Sequence, residues 1–324
     1  MMPSAERAVG IGVLGARSMV ARLAIFPALD ASQEANLVAA ASLSGPVPAP
    51  WDRYTVADYD AVIDHPDVEA VYIPLPNDLH RRWALRAADA GKHVLCEKPL
   101  AANVEAAQQM RTGCNDAGVL LAEAWMTPFD PRWERTFELV AEGLIGTVTE
   151  VTAAFTFTIG PEAAENYRWR TEHGGGALLD VGIYCLGPAV RLWGSVPATI
   201  KASIQLAASG VDATTAVELI WPGGQVARAR CSFVEAEQQR LELLGTSGSL
   251  TLDGDAHTGG KQATMIQHLD SAGAHEISVE PDDPYRRMID AFAAAVRGTR
   301  PWPRPVESSI ELLELLNKIR EAAQ

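Results

Sequence analysis

The chain has 324 residues, 48% of them apolar, with 41 acidic against 27 basic side chains and a formal net charge of −14. That length is about twice the size of one domain, and the apolar fraction suffices for two packed cores. The acidic balance excludes nucleic acid and anionic membrane surfaces as partners, because both select a basic face.

The four cysteines, Cys96, Cys114, Cys185 and Cys231, are widely spaced and form no CxxC pair. They read as reduced, mostly buried thiols. The seven histidines form neither HxxxH nor HExxH, so no metal is expected. The opening MMPSAERAVGIGVL has an acid and glycines where a signal peptide needs an apolar run. No stretch approaches the roughly 20 apolar residues of a membrane span. A soluble cytoplasmic protein is expected.

Strands and helices alternate from the start. Strands are predicted at Val9 to Leu14, Asn36 to Ala41, Val68 to Leu75, His93 to Cys96 and Val119 to Ala122, with helices at Met19 to Leu29, Leu79 to Ala90 and Val104 to Ala117. This rhythm predicts a doubly wound parallel sheet of Rossmann type over residues 1–123. Pro46, Pro48 and Pro50 remove amide donors in the second crossover, which therefore lacks a regular helix for about ten residues.

Beyond residue 124 the pattern changes. A helix fits Pro131 to Gly143. Long alternating strands fit Val148 to Phe157, Thr199 to Leu206, Thr214 to Trp221, Val226 to Phe233 and Arg240 to Gly245. Helices close the chain at Pro284 to Val296 and Glu307 to Ala323, on either side of TRPWPRP. The expectation is a second α/β domain over 124–324 with a large, mostly antiparallel open sheet, its last helices able to pack back on the first domain. One face of that sheet takes helices. The other, read as apolar, needs cover, which points to a homodimer or homotetramer.

The turn after the first strand is a dinucleotide candidate. Gly10, Gly12 and Gly15 fit GxGxxG only with the first two inside the strand, leaving Gly15, Arg17, Ser18 and Met19 to form the turn. Alone, that serves equally as a phosphate cradle or a plain strand-to-helix turn. The second strand ends in Ser42-Leu43-Ser44, without the acid that would bind a ribose 2′-hydroxyl. A serine tolerates a 2′-phosphate, and Arg17 faces it, so NADP(H) is expected in preference to NAD(H).

Three further segments carry a family signature: YIPLPNDLH from Tyr72, AGKHVLCEKPL from Ala90 and GGGALLDVGIY from Gly174. Their order and spacing resemble the glucose–fructose oxidoreductase / inositol dehydrogenase (Gfo/Idh/MocA) family over nearly the whole chain. The resemblance implies a Rossmann domain followed by an open-sheet domain that commonly forms the oligomer contact. It places Lys98 beside the nicotinamide and the reacting carbinol, Glu97 on the ribose side, and a cis bond between Lys98 and Pro99. Pro74, Leu75, Asn77 and His80 match cofactor-lining positions. Asp180 and Tyr184 resemble the branch of dihydrodiol and xylose dehydrogenases, in which the tyrosine acts at the substrate hydroxyl. Trp125-Met126-Thr127-Pro128-Phe129-Asp130-Pro131 departs from that branch, which often carries tyrosine, arginine and histidine there.

Hydride transfer at a carbinol requires a group that takes or gives the hydroxyl proton near neutral pH. A free lysine is too basic by about three pH units. Burial and a nearby oxidised nicotinamide lower its value, while Asp180 pulls the other way. Lys98, Tyr184 and Asp180 are therefore the expected catalytic set, and Trp125, Arg168 and Trp169 the expected lining of a carbohydrate-like substrate pocket. The expected activity is hydride transfer to or from a sugar, polyol or cyclic diol. An NAD-dependent glycoside hydrolase of the same fold and a non-catalytic NAD(P)H sensor are the alternatives.

Overall fold

The computed structural model describes residues 7–160, 163, 165–259 and 264–323. The chain divides into two compact units, residues 1–125 with 285–310 and residues 126–284 with 311–324.

The first unit holds a five-stranded sheet in the order β2-β1-β3-β4-β5, every pairing parallel. Its strands are β1 (Val9–Leu14), β2 (Ala35–Ala41), β3 (Ala70–Ile73), β4 (His93–Glu97) and β5 (Leu121–Ala124). β1, β3 and β5 are buried at every position, as expected for a parallel sheet covered on both faces. Gly10 and Gly12 lie within β1. A Cβ on Gly10 would sit 2.0 Å from the Asp67 carbonyl, and one on Gly12 2.5 Å from Val62 Cγ1. Both glycines therefore serve strand packing.

Several boundaries differ from those expected, among them β3, which runs over Ala70–Ile73 and not Val68 to Leu75. β5 starts at Leu121, not Val119, because the Val119 amide closes the preceding helix by donating to Cys114 O across Gly118. The first crossover is a π-helical turn, Ala21–Ile25, running into α1 (Phe26–Ala31). The second has only the short α2 (Tyr59–Ile63), in keeping with its prolines. α3 (Asn77–Asp89) and α4 (Val104–Asp116) complete the crossovers, and α7 (Pro284–Val296) belongs to this unit apart from its first residue.

The second unit carries an eight-stranded sheet in the order β13-β12-β11-β10-β6-β9-β8-β7. The strands are β6 (Val148–Thr158), β7 (Thr199–Leu206), β8 (Asp212–Ile220), β9 (Val226–Ser232), β10 (Val234–Gly245), β11 (Ser249–Leu252), β12 (Met265–Asp270) and β13 (Gly273–Ser278). All pairings are antiparallel except β6 with β9. α5 (Pro131–Ala141) precedes the sheet, α6 (Ala177–Trp193) packs on it, and α8 (Val306–Ala322) ends the chain. The last three strands were not predicted; β11 and β12 are short, and β13, GAHEIS, is polar and mostly exposed.

The open face of this sheet is not bare apolar surface. The face toward α6 presents Val151, Ala153 and Phe155 of β6 beside Ala227, Ala229 and Cys231 of β9. The opposite face carries Glu150, Arg228, Glu218 and Lys201, paired across four strands. Arg228 reaches Glu150 at 2.5 Å and Glu218 at 3.1 Å, and Lys201 reaches Glu218 at 2.9 Å. The apolar patch expected from strand alternation is replaced by these ion pairs.

Candidate active site

Gly15 follows β1 with φ +87°, a conformation that favours glycine. A Cβ there would lie 2.7 Å from Leu75 Cδ2 and 3.2 Å from the Pro74 carbonyl. The turns after β1 and β3 thus meet at the carboxyl edge of the sheet, where the strand order reverses. That is the position at which doubly wound sheets hold a dinucleotide. Ser18 Oγ accepts from the Ala21 amide at the start of the following helix, and Met19 is exposed.

Beyond β2, the Ser44 amide and hydroxyl both bond Ser42 Oγ, at 3.2 and 3.0 Å, forming a tight polar turn. Arg17 lies over that loop. Its Nη1 is 3.5 Å from the Pro46 carbonyl, and a Cβ on Gly45 would touch its guanidinium at 3.5–3.6 Å. A serine turn under an arginine, with no carboxylate in the contact, fits a phosphorylated ribose.

At the end of β4 the backbone turns through Glu97, Lys98 and Pro99, with a cis bond between the last two. Tyr72, buried on β3, donates to Glu97 Oε1 at 2.5 Å, and the Lys98 amide donates to Glu97 Oε2 at 3.2 Å. Burial is the leading influence on Glu97 and pushes its carboxyl up to about 7, with the Tyr72 hydroxyl and Lys98 pulling the other way. Lys98 itself is half-buried.

Asn77 and His80 begin α3 and are both buried. His80 Nε2 lies 2.9 Å from the Leu75 carbonyl, while Nδ1 faces the carbonyls of Pro99 at 3.1 Å and Leu100 at 3.3 Å. A neutral imidazole donates from one nitrogen only, so His80 bonds one of these two turns and packs against the other. Burial lowers its basicity. Trp125, 5% exposed, has the Arg304 guanidinium 4.8 Å over its ring.

In the second unit, Gly174 and Gly176 have φ of +68° and +116°. A Cβ on Gly176 would collide with Asp212 Oδ1 at 2.1 Å. Asp212 instead accepts the Leu178 amide at 2.6 Å and the Thr215 hydroxyl at 2.9 Å, satisfying a donor at the head of α6. Asp180, in the first turn of that helix, is 6% exposed and bonded by Arg168, with Nε to Oδ2 at 2.7 Å and Nη2 to Oδ1 at 3.5 Å. The Arg168 carbonyl also accepts the Gly176 amide at 3.0 Å. Arg168 therefore fixes both the glycine run and Asp180.

One turn beyond Asp180, Tyr184 packs edge-on against Phe155 at 5.3 Å. His257, fully buried, stacks on the same phenylalanine at 5.6 Å, and burial drops its basicity to about 4. Trp169 packs edge-on against Phe233 at 5.5 Å.

Sequence reasoning missed Tyr72, Glu123, Asp212, His257 and Arg304. A signal existed for two of them: a tyrosine in an apolar strand and a glutamate within LAEA both require buried partners. The other three gave none.

Two family models cover most of the chain. An oxidoreductase-family NAD-binding Rossmann model matches residues 9–124, and the GFO/IDH/MocA C-terminal domain matches residues 133–251. The chain belongs to the GFO/IDH/MocA oxidoreductase family. Members similar to it include a D-xylose 1-dehydrogenase (NADP(+)) of Haloferax volcanii, 33% identical with 97% of each chain covered. A dTDP-3,4-didehydro-2,6-dideoxy-alpha-D-glucose 3-reductase of Streptomyces violaceoruber is 36% identical, covering 90% of this chain and 86% of the relative. Among solved members, the 3-ketoreductase KijD10 of Actinomadura kijaniata, in complex with NADP and TDP-benzene, superposes with a TM-score of 0.85 at 27% identity over 98% of each chain. This member of the family is thus a nicotinamide-dependent oxidoreductase, and among its described residues no helix is long and apolar enough to cross a membrane.

Proposed function

We propose that the protein is an NADP(H)-preferring dehydrogenase or reductase acting at a carbinol or ketone of an aldose or nucleotide-linked ketosugar. The observation that carries the cofactor half is the Ser42 turn under Arg17, with no carboxylate to repel a 2′-phosphate. The substrate half rests on the relatives, whose names divide between an aldose and deoxysugar ketones. In this reading the nicotinamide gives or accepts the hydride. Lys98 exchanges the hydroxyl proton, and Glu97 holds the ribose side of the cofactor. Tyr184 meets the substrate oxygen, with Asp180 locked below it by Arg168. Asn77, Pro74 and Leu75 line the cofactor, and Trp169 flanks the sugar. The site is cytoplasmic.

The same reading has the chain assemble as a homo-oligomer through the open face of the second sheet. Since that face carries ion pairs, the association should weaken with salt. A single species of 34.7 kDa at micromolar concentration and low salt would contradict it.

The cofactor assignment is tested by titrating NADPH and NADH against nicotinamide fluorescence. NADPH should bind tighter by tenfold to a hundredfold, the worth of about 1.5–3 kcal/mol in charged hydrogen bonds. Ser42→Asp should swing the ratio toward NADH. Tighter NADH binding by the native protein, or an unchanged ratio in the variant, rejects the assignment.

A further inference from the structure

Arg304 lies in the PWPRP tract between α7 and α8, held between Pro303 and Pro305. Prolines on both sides restrict its backbone and exclude helix, so its side chain leaves from a stiffened strap. The side chain is 16% exposed, and both terminal nitrogens of the guanidinium are engaged. Nη1 pairs with Glu123 Oε2 and donates to Ser309 Oγ at 2.9 Å, and Nη2 reaches the Ser308 carbonyl at 3.4 Å. Its plane rests on Trp125. Glu123, on β5, is 4% exposed.

The remaining oxygen of that carboxylate does one thing. Glu123 Oε1 accepts the Leu100 amide at 2.7 Å. Pro99 has no N–H, so the turn carrying Lys98 has only two amides to set its register, those of Lys98 and Leu100. The first ends on Glu97 and the second on Glu123. Arg304 takes Oε2, which fixes the plane of the carboxylate and leaves Oε1 aimed at the turn. A buried carboxylate without its cation rotates, hydrates or takes a proton, and each change loosens that bond.

We propose that Arg304 is a positioning residue for Lys98, acting through Glu123 and the Leu100 amide. The proposal rests on the reading of Lys98 as the proton-transfer group, and no part of the signature motifs contains it. A rival account makes Arg304 a mere anchor of the C-terminal segment. Arg297 supplies the control. It holds the same segment by pairing with Glu69 at 2.6 Å and with the Arg7 carbonyl at 2.9 Å, at comparable exposure but before the start of β3, away from the turn.

The test reads Lys98 without substrate. The chain has five lysines, at 92, 98, 201, 261 and 318, so reductive methylation with 13C-formaldehyde gives few signals, and Lys98→Met assigns the one of interest. In Arg304→Gln the Lys98 signal should move and its titration midpoint shift by about half a pH unit or more. Arg304→Lys should restore part of it. Arg297→Gln should melt earlier yet leave the Lys98 signal in place. Where Arg304→Gln does not fold, Glu123→Gln keeps an acceptor for Leu100 and should give a smaller shift of the same signal. A Lys98 signal unmoved in the folded Arg304 and Glu123 variants, or moved equally by Arg297→Gln, overturns the proposal. With D-xylose and NADP+ as assay, Arg304→Gln should lower kcat about tenfold with KM for NADP+ little changed. Absence of turnover in the native protein would count against the substrate reading while leaving the lysine titration as the test of this one.

Discussion

Two of the three segments that carry the family signature are held in place by opposite means. The glycine-rich lead-in to α6 is fixed largely from nearby in sequence. Arg168, twelve residues before Asp180, binds both that carboxylate and the glycine run, while Asp212 reaches the head of α6 from farther along the chain. The Glu97–Lys98–Pro99 turn has anchors scattered over the whole first unit: Tyr72 on β3, His80 on α3, Glu123 on β5 and, behind Glu123, Arg304. A locally built element tolerates change elsewhere in the chain. A turn assembled from four distant elements couples the position of its lysine to the packing of the entire unit.

The largest effect on this contrast should come from Arg168→Met. Removing one member of a buried ion pair costs roughly 3–5 kcal/mol, and the low end applies because Arg168 keeps 22% of its side-chain surface in water. A urea melt of the variant should show that loss in the second unit, with NADPH affinity of the first unit preserved. Equal loss of NADPH affinity would mean that the lead-in is not the self-contained element described.

A smaller effect, with a defined sign, is expected at Glu97. Its carboxyl rises from 4.5 to about 7 on folding, so between those pH values the folded chain binds more protons than the unfolded one. Stability therefore falls as pH rises through that window, and the deprotonated, folded carboxylate is the costly state. Glu97→Gln should remove the slope, raising the melting temperature at pH 8 relative to the native protein more than at pH 5. Parallel curves for the two proteins would show that Glu97 is not held in the environment described.

The same contrast explains what could be read from the sequence. β1 and β7 were placed to the residue, because continuous burial or strict alternation marks them. The family and its two sheets followed from EKP and GGGALLD. That Asp180 and Tyr184 lie one turn apart on the same helix was legible from their four-residue spacing. Arg304 was not, because nothing in PWPRP announces that its arginine meets a carboxylate on β5. Nor was the ion-paired face of the second sheet, since alternation reports which residues share a face but not how their charges pair across strands. His80 was read as a cofactor contact, and the carbonyls of Leu75, Pro99 and Leu100 beside its ring are neighbours that only the fold brings to it.

In the proposed function Lys98 moves the proton. Lys98→Met keeps the volume of the side chain and cannot carry a proton, and NADP+ reduction with D-xylose, followed at the nicotinamide absorbance, measures the consequence. The expected result is a loss of ~10²–10⁴-fold in kcat with NADPH binding retained. A variant that keeps more than about a tenth of the native rate would fall outside that range and remove Lys98 from the mechanism.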